Sequence, residues 1–249
     1  MSPMTTDANA TSTSTSTEAL ATAAMASLVG SLADNKAALG RRYAEWGVSA
    51  PTLESAVAAA AMAQDEMGHA RSTYPVLKAL GVEAGDEGLE GRGHRLALLD
   101  DELPDWMAFI AANLLIDGVL TTFVASCVDS SVTPMAQRAK KILQEEGSHR
   151  VHAEAWAKRL CRAGGGQRDA LVARVLETWE HAGRWMGPSD DPGVAAALEL
   201  GMIKRGPVAQ REQVRAWLVD LLAAQSVTIA LEEPSDWSRW DPQRRRLEP

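Results

Sequence analysis

The chain has 249 residues, enough for one helical domain with a substantial core or at most two small ones. Its net charge of -8 argues against nucleic acid as the main partner, since phosphate binding needs a basic face. Two cysteines, Cys127 and Cys161, are too few for a disulfide framework; no run reads as long enough to span a bilayer, and no leader pattern opens the chain, so a cytoplasmic protein is expected.

Residues 1–17 are rich in Ser, Thr and Ala and read as a disordered tail. A helical pattern follows from about Glu18 to Trp46, then a short connector, Gly47 to Pro51. A second helix runs from Thr52 to about Leu80, with Pro75 expected to kink its last turns. Residues 81–103 form the longest connection, Gly- and acid-rich at first, with a helical piece near His94 to Asp101. A third helix spans Pro104 to about Asp129. A fourth follows the tight connector Ser130 to Pro134 and ends near Arg162, where Gly164-Gly165-Gly166 stops it. Further helices are expected over Arg168–Met186, Gly193–Lys204 and Pro207–Ala230, and a Pro-, Trp- and Arg-rich tail begins at Glu232. Two helical hairpins joined by a long crossover have the connectivity of a ferritin-like four-helix bundle. The expected organisation is an all-α fold: a tail at 1–17, the bundle at 18–163, accessory helices at 164–231 and a tail at 232–249.

Two of the five histidines, His69 and His149, have a glutamate three residues earlier, Glu66 and Glu146. Positions i and i+3 share one helix face, so each pair presents a carboxylate and an imidazole together. Such donors suit iron, manganese or zinc, and carboxylate bundles use this pattern on two helices, with one more carboxylate from each of the other two. The face around Glu66 carries Ala59, Met62, Thr73 and Val76 and reads as buried, where an unpaired charge is costly and a metal removes the cost. Asp117, inside the apolar stretch Leu114-Leu115-Ile116-Asp117-Gly118, also needs a partner, either a hydrogen bond or a metal. With a rise of about 1.5 Å per residue, positions 36, 66, 117 and 146 fall in one layer.

Position 36 is Lys where the pattern asks for a carboxylate. Asp34 and Glu45 lie roughly 160–180° away on the same helix and cannot stand in for it. Lys36 is either a surface lysine near a frayed helix start or a side chain directed into the site. Glu66, Asp117 and Glu146 carry three negative charges, which one divalent metal plus an ammonium would balance; a carbamylated Lys36 is the alternative. The first form predicts fewer than two tightly bound metals per chain, because an ammonium beside two dications is strongly disfavoured.

Trp46 with Ala50-Pro51-Thr52-Leu53, the run Ala63-Gln64-Asp65-Glu66-Met67-Gly68-His69-Ala70, Leu115-Ile116-Asp117-Gly118 and Gln144-Glu145-Glu146-Gly147-Ser148-His149 together resemble the phenylacetate-catabolism family, typified by ring 1,2-phenylacetyl-CoA epoxidase. The resemblance covers about residues 30–160. It implies a ferritin-like bundle, a carboxylate-bridged di-iron centre, O2 activation, a small acid or CoA-thioester substrate, a separate reductase, and assembly with a ferritin-like subunit. Glu66, His69, Asp117, Glu146 and His149 match the metal ligands of the family's catalytic subunit, with Glu66, Glu146 and Lys36 as the candidate catalytic groups. The helix from Asp34 to Trp46 is closer to the structural subunit, and Lys36 falls where the catalytic subunit has its first glutamate. A non-catalytic scaffold that pairs with a catalytic homologue is therefore the second reading.

Among the remaining features, His152 reads as a solvated helix histidine, with a place beside the site as the alternative. His94 and His181 read as surface or cap residues. Trp156, Trp179, Trp185 and Trp217 read as core anchors. Arg244-Arg245-Arg246 reads as a solvated tail, with a CoA phosphate as the less favoured partner.

Overall fold

The computed structural model describes residues 7–82 and 95–248, and side chains from residue 15 onward. Helix α1 spans Asp7–Trp46, α2 Leu53–Thr73 and α3 Val76–Ala79. A third rod is built from α4 (Trp106–Ala111), a π-helical turn (Ala112–Asp117) and α5 (Gly118–Ser126). Helix α6 covers Thr133–Ala163, α7 Gly165–Ala182, α8 Pro192–Glu199 and α9 Pro207–Ala223. The all-α ferritin-like bundle consists of α1, α2, the α4–α5 rod and α6, with α7, α8 and α9 packed around it.

Local chemistry sets these boundaries. Thr52 caps α2 by accepting from the Ser55 amide at 3.2 Å, and Asp105 caps α4 by accepting from the Ala108 amide at 2.7 Å. Pro134 sits in the first turn of α6, where its missing N–H costs nothing. Gly164, with φ 68°, ends that helix in a conformation that other residues resist. Pro75 separates α2 from α3 at the expected place.

Several details differ from the sequence expectation. Helix α1 begins at Asp7, so much of the Ser/Thr-rich segment lies within a helix; extending a helix that is already nucleated adds one hydrogen bond per residue fixed. The piece expected near His94 to Asp101 is a single 3-10 turn, Ala97–Leu99, and His94 lies outside the described residues. Helix α7 starts three residues before Arg168, and α9 stops at Ala223 rather than Ala230. The stretch Trp106–Ser126 is long and apolar enough to cross a membrane (mean hydropathy 1.8), contrary to the expectation that no such run exists. Its most apolar window is 83% buried inside the protein, as a rod packed on several sides requires.

The C-terminal tail is ordered rather than solvated. Trp240–Asp241 (β1) pairs antiparallel with Arg246–Leu247 (β2). Arg245 is buried, donating Nε to the Trp185 carbonyl at 3.0 Å, while Arg246 pairs with Asp100 at 2.8 Å and Arg244 with Glu248 at 3.2 Å. Arg244 and Arg246 share Glu248, whereas Arg245 is turned into the core, so the three guanidiniums do not converge on one phosphate patch. The tryptophans do anchor helices: Trp185 donates to Ser31 Oγ at 2.9 Å, Trp156 to Ser55 Oγ at 3.1 Å and Trp179 to the Glu232 carbonyl at 2.8 Å.

Candidate metal centre

On α6, Met135, Ala139, Ile142, Glu146, His149 and Ala153 form one buried stripe at helical spacing. Glu66 and His69 lie in the matching stripe of α2, with Ala59, Met62, Ala63, Ala70 and Thr73. The polar residues therefore face inward because they occupy core positions. Lys36 sits on a part of α1 that is buried on all sides, from Val29 to Gly40. Asp117 ends the π turn, whose wider spacing shifts the helix faces before and after it.

These four elements bring the side chains of Lys36, Glu66, His69, Asp117, Glu146 and His149 into one layer. Lys36 Nζ donates to Glu66 Oε1 at 3.0 Å, Asp117 Oδ1 at 2.6 Å and Glu146 Oε1 at 2.5 Å, and its side chain is fully buried. His149 Nδ1 lies 3.1 Å from Asp117 Oδ2, 3.3 Å from Glu66 Oε1 and 3.5 Å from Glu146 Oε2. His69 Nδ1 lies 3.2 Å from Glu146 Oε1 and 3.9 Å from Glu66 Oε2, and the two imidazole centroids are 6.3 Å apart. Asp34 and Glu45 bond elsewhere, to Tyr74 and Arg42.

A second layer of carboxylates orients the imidazoles. His69 Nε2 meets Glu145 Oε2 at 2.8 Å, and His149 Nε2 meets Asp65 Oδ2 at 3.3 Å. The pairing is crossed: α6 supplies the partner for the α2 histidine, and α2 the partner for the α6 histidine. Each partner fixes the outer ring nitrogen and leaves Nδ1 facing the carboxylates. Asp65, Glu145 and Asn113 did not stand out in the sequence. The available signal was an acidic residue directly before each glutamate of the two Glu-x-x-His pairs. Asn113 donates to Asp117 Oδ2 at 3.3 Å and faces His152 Nδ1 at 3.4 Å. His152 is thus not solvated. It is half-buried, edge-on to Trp106 and Phe109, and burial and the charge on His149 lower its pKa to about 4.

The electrostatics follow from burial and charge together. Burial alone would discharge Lys36, but the Asp117, Glu146 and Glu66 carboxylates outweigh it and hold the ammonium well above its ordinary pKa. Burial also works against the charged imidazoles, yet their carboxylate contacts raise His149 to about 11 and His69 to about 9. Asp117 is held below the usual carboxylate range: burial pushes it up, and Lys36 and His149 more than reverse that. Glu146 is raised by burial and by the Asp117 charge. Tyr43, buried beside the cluster, has its phenol pKa raised by burial and by the Asp117, Glu66 and Glu146 charges. Three positive groups therefore face three carboxylates.

The arrangement can hold a cation. Glu66, Asp117, Glu146 and His149 each offer one donor atom, all within 4.8 Å of one another and all buried. Glu66 Oε2 is buried without a hydrogen-bond partner, a costly state that coordination would relieve. Oxygen and imidazole donors of this kind fit a divalent transition metal such as iron, whereas the Lys36 ammonium disfavours two of them.

No curated relative matches the chain. Residues 4–247 match the family described as phenylacetic acid catabolic protein. That match takes in nearly the whole chain, including both Glu-x-x-His helices and the accessory helices around them, and the protein therefore belongs to the phenylacetic acid catabolic protein family.

Proposed function

We propose that the protein is a non-heme iron oxygenase component that activates O2 to oxidise a small organic acid or its CoA thioester in phenylacetate-type catabolism. The observation that carries this reading is the buried convergence of Glu66, Asp117, Glu146 and His149, with His69 beside them. These residues would hold the metal, with manganese as the alternative to iron. When bound, iron supplies the one-electron chemistry with O2 that no side chain can supply. Lys36 keeps its proton at neutral pH, so its contribution is positive charge rather than proton delivery. Glu66 and Glu146 each contact Lys36 and both histidines, which makes them the carboxylates able to exchange partners. Asp65 and Glu145 hold the imidazoles in orientation, and the packed layer keeps bulk water out. A separate reductase supplies electrons, a ferritin-like subunit or second copy completes the assembly, and the location is cytoplasmic.

The test is O2 uptake by the iron-loaded protein given a reductase and candidate acids and thioesters. Substrate-dependent uptake is expected, and His69→Ala combined with His149→Ala should abolish both uptake and bound iron. Unchanged iron in the double variant would refute the site.

One observation favours a second reading. Lys36 bonds all three carboxylates and, with His69 and His149, balances their charge without a metal. A scaffold subunit that pairs with a catalytic homologue would have this property. A reduced, iron-loaded protein inert toward O2 with every substrate, yet binding a ferritin-like homologue, would select this reading.

A further inference from the structure

A run of aromatic rings leads from the buried layer to the outside. Tyr43 of α1 begins it, and the Asp117, Glu66 and Glu146 charges all act on its phenol. Its ring meets Phe109 of α4 with centroids 5.0 Å apart, and Phe109 stacks on Trp106 at 4.4 Å with planes 10° apart. From Trp106 the run forks, to Trp46 at the end of α1 (5.3 Å) and to Trp156 of α6 (5.1 Å). Tyr43 and Phe109 are 0% exposed and Trp106 8%, whereas Trp46 and Trp156 are only partly buried. A second connection reaches Trp106 from the layer: Asn113 donates to Asp117 and faces His152, which stands edge-on to Trp106 at 6.1 Å.

Packing explains why such rings are buried, not why they line up from the layer to the surface. Elsewhere the core is mainly Ala, Leu and Val, and the chain has only two Tyr and two Phe, one of each in this run. Indole and phenol are also among the side chains that give up a single electron most readily, and electron exchange falls steeply with distance, so rings in contact favour it. We propose that Tyr43, Trp106, Trp46 and Trp156 form a one-electron path between the buried layer and the surface, by which an oxidising equivalent not used on substrate leaves the site. Trp106 gives one electron to the layer, an outer tryptophan gives one to Trp106, and a solution thiolate restores the outer ring. Two thiyl radicals then join as a disulfide. No proton has to move at Trp106: its Nε1 is buried without an acceptor, so the charge is passed on as a radical cation instead of being trapped by N–H loss. The Arg159 guanidinium carbon lies 4.6 Å over the Trp156 ring, where it opposes a second positive charge and makes Trp46 the favoured outer end. The outward use rests on the oxygenase reading, with O2 or peroxide at bound iron as the oxidant, but the path itself does not.

The path is tested first on the full-length protein without metal. Pulse radiolysis with azide radical, which oxidises indole, is run in a Tyr74→Phe background, so that Tyr43 is the only phenol. The indolyl absorption should decay while phenoxyl absorption grows, in a first-order step independent of protein concentration. The electron leaves Tyr43 along the rings, its phenolic proton is lost, and the indolyl radical regains an electron and a proton. Tyr43→Phe should abolish the phenoxyl signal. Trp106→Phe, which keeps an aromatic ring but not a readily oxidised one, should remove the first-order growth, whereas Trp237→Phe in the C-terminal tail should leave it unchanged. No phenoxyl, or growth indifferent to Trp106→Phe, would overturn the proposal. The outward use is tested on iron-loaded protein given hydrogen peroxide without substrate, followed by peptide mass spectrometry. Oxygen should be added at Trp46 more than at Trp156, and a thiol should suppress it. Oxidation confined to residues of the layer, with Trp46 and Trp156 untouched, would overturn that use. The two readings fail separately: transfer to Tyr43 in a protein that binds no iron leaves the path standing and sinks the oxygenase, whereas substrate-dependent O2 uptake without that transfer sinks the path alone.

Discussion

The two hairpins of the bundle offer nearly the same chemistry to the buried layer, and they differ at one position. Helices α2 and α6 each supply an acidic residue, a glutamate and, three residues on, a histidine: Asp65-Glu66 with His69, and Glu145-Glu146 with His149. Their partner helices supply opposite charges: Lys36 from α1 and Asp117 from the π turn before α5. The second half, with Asp117 beside His149, has the fuller donor set, and the first half has a fixed ammonium in its place. The difference teaches that a site of this shape can be charge-balanced in more than one way, by the Lys36 ammonium with two protonated imidazoles or with a metal in place of imidazole protons, and that the positive charge fixed at position 36 rests on a single side chain.

Removing the lysine should give the largest effect. Lys36→Met leaves three buried carboxylates without their shared cation, and the metal-free protein should lose about 3–5 kcal/mol in denaturant unfolding. Divalent iron should restore much of that loss, because it occupies the vacated charge position. A variant as stable as wild type without metal would show that the ammonium does not hold the layer together.

The crossed outer carboxylates sharpen the comparison next. Asp65→Asn acts on His149 and Glu145→Gln on His69, so each should weaken iron binding by about 10–100-fold where its histidine is a ligand. On this account Asp65→Asn is the more damaging, since His149 belongs to the half with Asp117. Equal effects in competitive metal titrations would mean that the two halves contribute alike.

A smaller effect is expected with pH. In the metal-free protein His69 is raised from 6.5 to about 9 and His149 to about 11, so both are protonated at neutral pH, and a metal must displace those protons. Apparent iron affinity should therefore climb as pH rises through 7 and toward 9. Stability of the metal-free form should move the other way. The contribution of the two charged imidazoles is complete below pH 6.5 and is lost as pH rises through about 9 and then 11. Metal titrations and thermal melts across this range check both signs.

The bundle and the inward direction of Glu66, His69, Glu146 and His149 were legible because helical spacing converts directly into shared faces. The Lys36 direction was legible only from its height together with the family resemblance, which puts a carboxylate at that position; helical spacing by itself left a surface lysine equally open. The π turn was not, since a buried apolar run such as Leu114-Leu115-Ile116 reads identically in either helix type. The crossed pairs of Asp65 with His149 and Glu145 with His69 depend on the register between α2 and α6, which no single helix encodes. Arg245 was hidden for the same reason: a basic run near the end of a chain reads as solvated, while its burial depends on the Trp185 carbonyl 60 residues away.

The most direct test of the central claim is the number of irons bound per chain after anaerobic loading, measured by elemental analysis in wild type and in Lys36→Glu. Wild type should hold fewer than two, with the Lys36 ammonium supplying the remaining charge, and Lys36→Glu should approach two. Two full-occupancy irons in the wild-type protein with Lys36 unmodified, or no gain in the glutamate variant, would contradict the account.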